Sequence, residues 1–302
     1  MREALPGAQH RWMIPYLWVL PGLAYLFFFW GYPSLYAVWL SLTDANLGSE
    51  SFRFTGLVNY KRILQDPLFW ISLKNTGVLL AASVVLEVFL GLGVAVHIHG
   101  SGRARQAFLT TVLLLPWLFS ELVSALTWRW IFHEPLGLLN AFLRYLGFSG
   151  VPWLSRPDTA MASLVVVSLW QGIGISTMVI LAALKAIPWR LLDLASLDGA
   201  VGWRRIRHVF LPQLRGVLAL DSLLVAIKSL GAFTLVFALT GGGPGYATEI
   251  LATHVYRLAF FHYELGYASA AGICLASLFL VLTLLVVLLR RKTPVYGYER
   301  ME

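Results

Sequence analysis

Hydrogen-bonding and ionisable side chains are sparse in this chain, and those with chemical reach lie inside long apolar stretches. Ser168, Gln171, Gly172 and Ile175 follow one another at i, i+3, i+4 and i+7, which places them on one helical face. Val225, Lys228, Ser229 and Ala232 repeat the spacing. Two such stripes can face a solute and offer it hydrogen bonds. They can equally pack helix on helix, because small and polar residues also do that in a bilayer. Glu87, Glu121 and Arg129 stand in other apolar stretches, where a charge is costly and either faces a cavity or finds a partner. Glu121 and Arg129 share a face but lie about two turns apart, too far for a direct bond. Two readings stand for Lys228: an ion pair with Glu121 or Glu87, or a place in a water-filled solute cavity.

Other reactive residue types carry less. His97 and His99, at i and i+2 on a helix end, point apart and make a poor metal pair. The run Gly241-Gly242-Gly243 lacks the Lys-Ser or Lys-Thr that a phosphate-binding loop needs, so it reads as a tight turn. Neither H-E-x-x-H nor G-x-S-x-G occurs. The single cysteine, Cys274, rules out an internal disulfide and a cysteine-based metal cage. The chain is therefore expected to hold no catalytic, cofactor or metal site of its own.

The elements that position these residues are membrane helices. Of 302 residues, 58% are hydrophobic and 13% charged, and mean hydropathy is +0.72. Soluble domains run nearer 45–50% apolar and about 25% charged. Twelve Trp and twelve Tyr suit a protein with two membrane–water interfaces. A helix needs about 20 mostly apolar residues to cross the hydrocarbon core. Six stretches qualify, at 14–42, 78–98, 108–132, 160–184, 217–239 and 268–289. None alternates as a barrel strand would. The first is too long for a signal-peptide core and lacks a small-x-small cleavage site, so it is expected to stay as an anchor.

Basic residues assign the sides. Arg2, Arg11, Arg103, Arg105, Lys185, Arg190, Arg204, Arg205, Arg207, Arg215, Arg290, Arg291, Lys292 and Arg300 fall on one side of the six-span arrangement. The other side holds Arg53, Lys61, Arg62, Lys74, Arg144, Arg156 and Arg257. Lys and Arg collect in cytoplasmic loops, so fourteen against seven places both termini in the cytoplasm. The net charge of +8 then belongs to membrane topology, not to nucleic acid.

The loop between spans four and five, 185–212, reads KAIPWRLLDLASLDGAVGWRRIRHVFLP. Pro188 suits a helix start, and Leu191, Leu192, Ala195 and Ser196 share the face that follows. Gly199 suits a left-handed residue at the helix C-terminus. A second short basic helix is expected from Trp203 to His208, ahead of Leu211-Pro212, so that a helix–turn–helix lies on the cytoplasmic surface. Its small residues Ala195, Ser196, Gly199 and Ala200 would let another protein approach closely.

That loop resembles the EAA motif of permeases in binding-protein-dependent ABC importers, roughly E-A-A-x3-G-x9-I-x-L-P. Asp193, Leu194 and Ala195 take the E-A-A places, Gly199 the glycine, and Val209 to Pro212 the ending. The departures are Asp for Glu, Leu for the first Ala and Val for Ile. Further segments extend the resemblance over nearly the whole chain and point to the carbohydrate-uptake group. They are Phe54-Thr-Gly-Leu-Val-Asn-Tyr60, Asp66 to Trp70 with Asn75-Thr76, Leu239-Thr-Gly-Gly-Gly-Pro244, and Tyr256-Arg257 with Gly266-Tyr-Ala-Ser-Ala270. Within that group the match is to the first of two permease subunits, of maltose and glycerol-3-phosphate type.

The resemblance implies an all-α integral membrane protein with the type I importer (MetI-like) fold, multi-pass in the bacterial cytoplasmic (inner) membrane. It implies a second permease subunit, two ATPase subunits that bind the ATP and Mg, an extracytoplasmic solute-binding protein, and a sugar or sugar-like solute. Asp193, Leu194, Ala195, Ser196, Asp198, Gly199, Ala200 and Trp203 would form the coupling helix seated on the ATPase. The faces carrying Ser168, Gln171, Gly172 and Ile175, and Val225, Lys228, Ser229 and Ala232, would line the solute site. Three regions follow: 1–70 with the first span and an extracytoplasmic loop, a five-helix core 71–290, and a tail 291–302. The close alternative is a permease of the same superfamily for glycerol-3-phosphate or another non-sugar solute. A proton-coupled secondary transporter would show paired internal repeats, and none is visible.

Overall fold

The computed structural model describes residues 14–48 and 52–291; the expectations for Arg2, Arg11, Lys292 and Arg300 lie outside them. The described residues are helical, with one isolated bridge between Thr43 and Phe54 and no strand. The all-α expectation holds. Among the described residues, five helices are long and apolar enough to cross a membrane, and counting one bent helix pair as a single span makes six.

Two compact units divide the chain, Met1–Gln65 with Val255–Ile273, and Asp66–His254 with Cys274–Glu302. In the first, α1 (Ile14–Leu26) continues through a π turn at Phe27–Gly31 into α2 (Tyr32–Ser41). Trp18–Ser41 is apolar nearly all round and exposed, as a lipid-facing helix is. Then comes α3 (Val58–Gln65). Two sequence motifs meet here. Asn59 donates from Nδ2 to the Ser41 and Thr43 carbonyls at 2.9 and 2.7 Å, and the Gly266 amide donates to the Ala45 carbonyl at 2.8 Å. A Cβ on Gly266 would overlap the Thr43 carbonyl oxygen, so the glycine admits a close backbone approach. Arg62 pairs with Glu264 at 2.8 Å and lies over the Tyr267 ring.

The second unit is built on α4 (Pro67–His99), α8 (Pro157–Lys185) and α11 (Leu211–Leu230). Asp66 caps α4, accepting from the Leu68 amide at 2.8 Å. With 33 residues, α4 is about 50 Å long, so it contains the expected span 78–98 and runs several turns beyond it. Gly91 lets α4 lie against the backbone of Ser176 and Thr177 on α8. Apolar clusters close both ends of this bundle. One includes Leu79, Leu164, Val167, Leu235, Val236 and Ile250, and the other Ala95, Ile98, Ile180, Leu184, Phe210 and Leu214.

Two expected spans are corrected. The third is not one rod over 108–132. It breaks into α5 (Arg103–Leu118) and α6 (Glu121–Ile131), bent by 95°. Pro116 takes a donor out of the last turn of α5, Phe119 and Ser120 are extended, and Ser120 caps α6 through the Val123 amide. The fifth does not run over 217–239. Helix begins at Trp203 in α10 (Trp203–Arg205), widens into a π turn at Ile206–Phe210, continues as α11, and stops at Gly231. Residues Phe233–Leu239 form a separate α12. The basic stretch expected as a free surface helix is thus the first two turns of this long one. The π turn lies where Pro212 withholds an intrahelical donor.

The Leu239 to Pro244 motif is a turn, as expected. Gly241 and Gly242 have φ of 63° and 86°, which side-chain-bearing residues rarely adopt. Thr248 Oγ1 donates to the Gly243 carbonyl at 2.6 Å. Asn75 Nδ2 on α4 donates to the Tyr246 and Glu249 carbonyls, each at 3.0 Å. Two more helices, α13 (Leu251–Phe260) and α14 (Leu265–Arg291), complete the chain after α7 (Leu138–Tyr145) and α9 (Trp189–Leu197).

Candidate functional site: a polar cavity and an exposed loop

A cavity of about 520 Å³ opens between α4, α5, α8 and α11, midway between the two apolar clusters. Gln171, Gly172, Ile175, Val225 and Lys228 line it, as the stripes predicted. Ser168, Ser229 and Ala232 do not. Ser168 is buried between α8 and α4, its hydroxyl 3.3 Å from both Ser83 Oγ and Glu87 Oε1. Ser229 donates to its own helix at the Val225 carbonyl, and Ala232 is packed into the apolar core. For Ser168 and Ser229 helix rotation decides this, since both lie one step round from the open face; Ala232 falls past the end of α11, at the start of α12.

Lys228 takes part in an ion pair and also borders the cavity. Its ammonium pairs with Glu87 at 2.5 Å, donates to the Ser168 carbonyl at 3.2 Å, and still borders the cavity. The Glu87 side chain is 1% exposed and that of Lys228 37%. Three helices meet at this pair, and Gly172 makes the room. A Cβ there would overlap both the carboxylate and the ammonium. Glu121, in the first turn of α6, faces Thr234 and the Leu235 amide at the start of α12. Arg129 donates to the Ala238 carbonyl at 3.3 Å instead of joining Glu121.

Sequence inspection missed Asp221 and Trp117 on the cavity wall. For Asp221 a signal was present. Positions 221, 225 and 228 continue one stripe at i, i+4 and i+7. Trp117 escaped because its place depends on the bend after α5.

The loop 185–212 forms α9, a turn, α10, the π turn at Ile206–Phe210 and the first residues of α11. Asp198 ends α9, and Gly199 follows at φ 73°, the left-handed conformation expected of it. The Ala200 amide returns to the Ala195 carbonyl at 2.8 Å. Gly202, with φ 55°, is a second left-handed residue that the motif does not mark. Ser196 and Arg205 brace the turn, Arg205 donating to Ser196 Oγ and to the Ala200 carbonyl. Asp193 and Leu194 are exposed and Ala195 half-buried. Trp189, Leu194, Leu197, Val201 and Trp203 present a run of exposed apolar surface.

A bundle of apolar helices around a cavity that holds charged groups fits a membrane permease. Residues 87–294 match the family described as binding-protein-dependent transport system inner membrane component, and the chain belongs to that family. It is thus a permease subunit of an ABC importer, a multi-pass inner-membrane component and not an enzyme. It is 36% identical to the trehalose/maltose transport system permease protein MalF of Thermococcus litoralis, over 91% of this chain and 92% of that protein. It is 31% identical to the sulfoquinovosyl glycerol transport system permease protein SmoG of Agrobacterium fabrum, over 83% and 82%. The fold is that of a chain in the crystal structure of a bacterial alginate ABC transporter with an alginate pentasaccharide-bound periplasmic protein. That match has a TM-score of 0.79 and 22% identity, covering 94% of this chain and 96% of the other.

Proposed function

We propose that this chain walls a passage for a saccharide, pairs with a second permease subunit, and receives ATPase subunits on α9 and the turn after it. The single observation that carries this reading is the shared scaffold. Two of the helices that wall the cavity, α8 and α11, also flank the exposed loop, so motion of the loop reaches the cavity through helix. Gln171 and Glu121 supply hydrogen-bonding groups and Trp117 an aromatic face, a set suited to hydroxyls and to the apolar face of a sugar ring. Relatives named for trehalose/maltose and sulfoquinovosyl glycerol support a sugar-type solute. Asp193, Leu194, Ala195, Ser196, Asp198, Gly199, Ala200 and Trp203 form or brace the ATPase contact in this reading. ATP and Mg are held by those partner subunits.

The complete transporter, reconstituted in proteoliposomes with its binding protein, is offered labelled maltose, trehalose and diacetylchitobiose. Saccharide uptake that needs both ATP and the binding protein is expected. Uptake confined to amino acids or peptides sinks the proposal.

We further place both chain ends and the 185–212 loop on the cytoplasmic side, from the fourteen-to-seven division of basic residues. In a Cys274→Ser background, Gly48→Cys is expected to react with an impermeant maleimide in intact spheroplasts. Trp203→Cys is expected to react only after permeabilisation. The opposite pattern inverts the topology and removes the ATPase from the loop.

A further inference from the structure

We infer that the cavity sorts solutes by charge, passing neutral and cationic saccharides and turning back anionic ones, with Asp221 as the residue that sets this selectivity. The inference rests on reading the cavity as the solute passage and names the class of solute that passage takes.

Three carboxyl groups and one ammonium border the cavity: Glu87, Glu121, Asp221 and Lys228. The ammonium is engaged. It lies between Glu87 and the Ser168 carbonyl and is held there by the three-helix junction around Gly172. Arg129 is outside the lining and donates to Ala238. A carboxylate, sulfonate or phosphate entering from water would meet no uncommitted cation among the cavity residues.

Asp221 is the second observation. It is 1% exposed, it borders the cavity, and among the described residues neither carboxyl oxygen meets a donor in hydrogen-bonding geometry, the Ser176 hydroxyl on α8 being the one donor that interacts with it. Buried polar groups in folded proteins are almost always satisfied, and an unsatisfied one costs more than a hydrogen bond returns. Both Asp221 oxygens are sealed from solvent, so the residue acts on a solute through its charge, which a protonated amine offsets. An anionic group adds like charge at short range in a partly desolvated site. Relatives of this fold serve both kinds of solute, since one is named for trehalose and maltose and another chain of this fold belongs to an alginate transporter. The cavity residues set this chain against the anionic solutes.

The test uses thiol reagents as the solutes. Ile175, a half-buried cavity residue, is replaced by Cys in a Cys274→Ser background, and the complete transporter is purified. Its reaction rates with cationic 2-aminoethyl and anionic 2-sulfonatoethyl methanethiosulfonate are each divided by the rate with free 2-mercaptoethanol. Any change in thiolate fraction affects both reagents alike and leaves their ratio. The normalised ratio is expected to favour the cation by about tenfold. Asp221→Asn should lower it by about threefold, and Glu121→Gln, a second neutral isostere, should lower it in the same sense. A ratio near one, an inverted ratio, or a ratio that neither variant moves overturns the inference and leaves the passage intact. Failure of both reagents to react would instead show that water does not reach the cavity, which sinks the passage reading and the inference with it. ATP-driven uptake of a uronate disaccharide as fast as maltose also overturns the inference.

Discussion

Replacing Lys228 by Met is expected to destabilise the helix bundle by about 3–5 kcal/mol, the range for removing one partner of a buried ion pair. The Glu87 side chain is 1% exposed, so water cannot take over from the lost ammonium. Its remaining partner is the Ser168 hydroxyl at 3.3 Å, too little for a desolvated carboxylate. The yield of assembled transporter and its thermal midpoint in detergent measure the loss. Glu87→Met added to Lys228→Met should restore assembly, because replacing both members of a buried pair with apolar side chains is often neutral or stabilising. A single Lys228→Met variant with wild-type yield and midpoint would show that the pair is not structural. Gly172→Ala should repeat the damage by a different route, since its Cβ overlaps both charged groups.

Helix content and the count of membrane-crossing segments were legible in the sequence because a 20-residue apolar run has few alternatives in a bilayer. The breaks were not. Hydropathy is blind to direction, so the 95° bend between α5 and α6 and the stop at Gly231 passed as continuous apolar sequence. The signals were local and small: Pro116 followed by the capping Ser120, and Gly231 itself. The fifth span was displaced for the opposite reason. Arg204, Arg205 and Arg207 made 203–208 look like a separate surface helix, yet a helix accepts charged turns where it leaves the membrane.

Of the candidate cavity, helical spacing found one wall and over-reached on it. Ile175 and Val225 face the opening while Ser168 and Ser229, on the same stripes, are buried between helices. A stripe of 100° or more is wider than the opening it borders, and only packing decides which edge is covered. The Glu87–Lys228 pair joins positions 141 residues apart, a distance no local pattern spans. Gly172 was marked for its spacing alone. Its reason, the room it leaves for two charged groups, belongs to tertiary structure. In the loop, by contrast, the left-handed Gly199 was legible because a helix C-terminus imposes that conformation locally.

Leu197→Asp is expected to detach the ATPase from an otherwise intact permease. Leu197 is the most exposed apolar residue of α9 and the turn after it, at 85%, beside exposed Leu194, Val201 and Trp203. A leucine so exposed contributes little to its own fold, so the change should move permease stability by no more than about 0.5 kcal/mol. Clustered exposed apolar side chains mark a surface that another protein covers, and truncating a central contact of such a patch typically costs 2 kcal/mol or more, about thirtyfold in affinity. Asp also introduces a charge that the partner must desolvate. Gly199→Leu attacks the same surface through the backbone. A Cβ at Gly199 meets no neighbouring atom, so overlap is not the problem. At φ 73° the side chain costs roughly 1 kcal/mol relative to glycine, and relief of that strain shifts α9 away from the turn braced by Arg205. Both variants should insert and pair with the second permease at wild-type yield, lose most of the copurifying ATPase, and show no ATP-driven uptake. Full ATPase recovery with coupled uptake in Leu197→Asp would mean that the docking surface lies elsewhere on the chain.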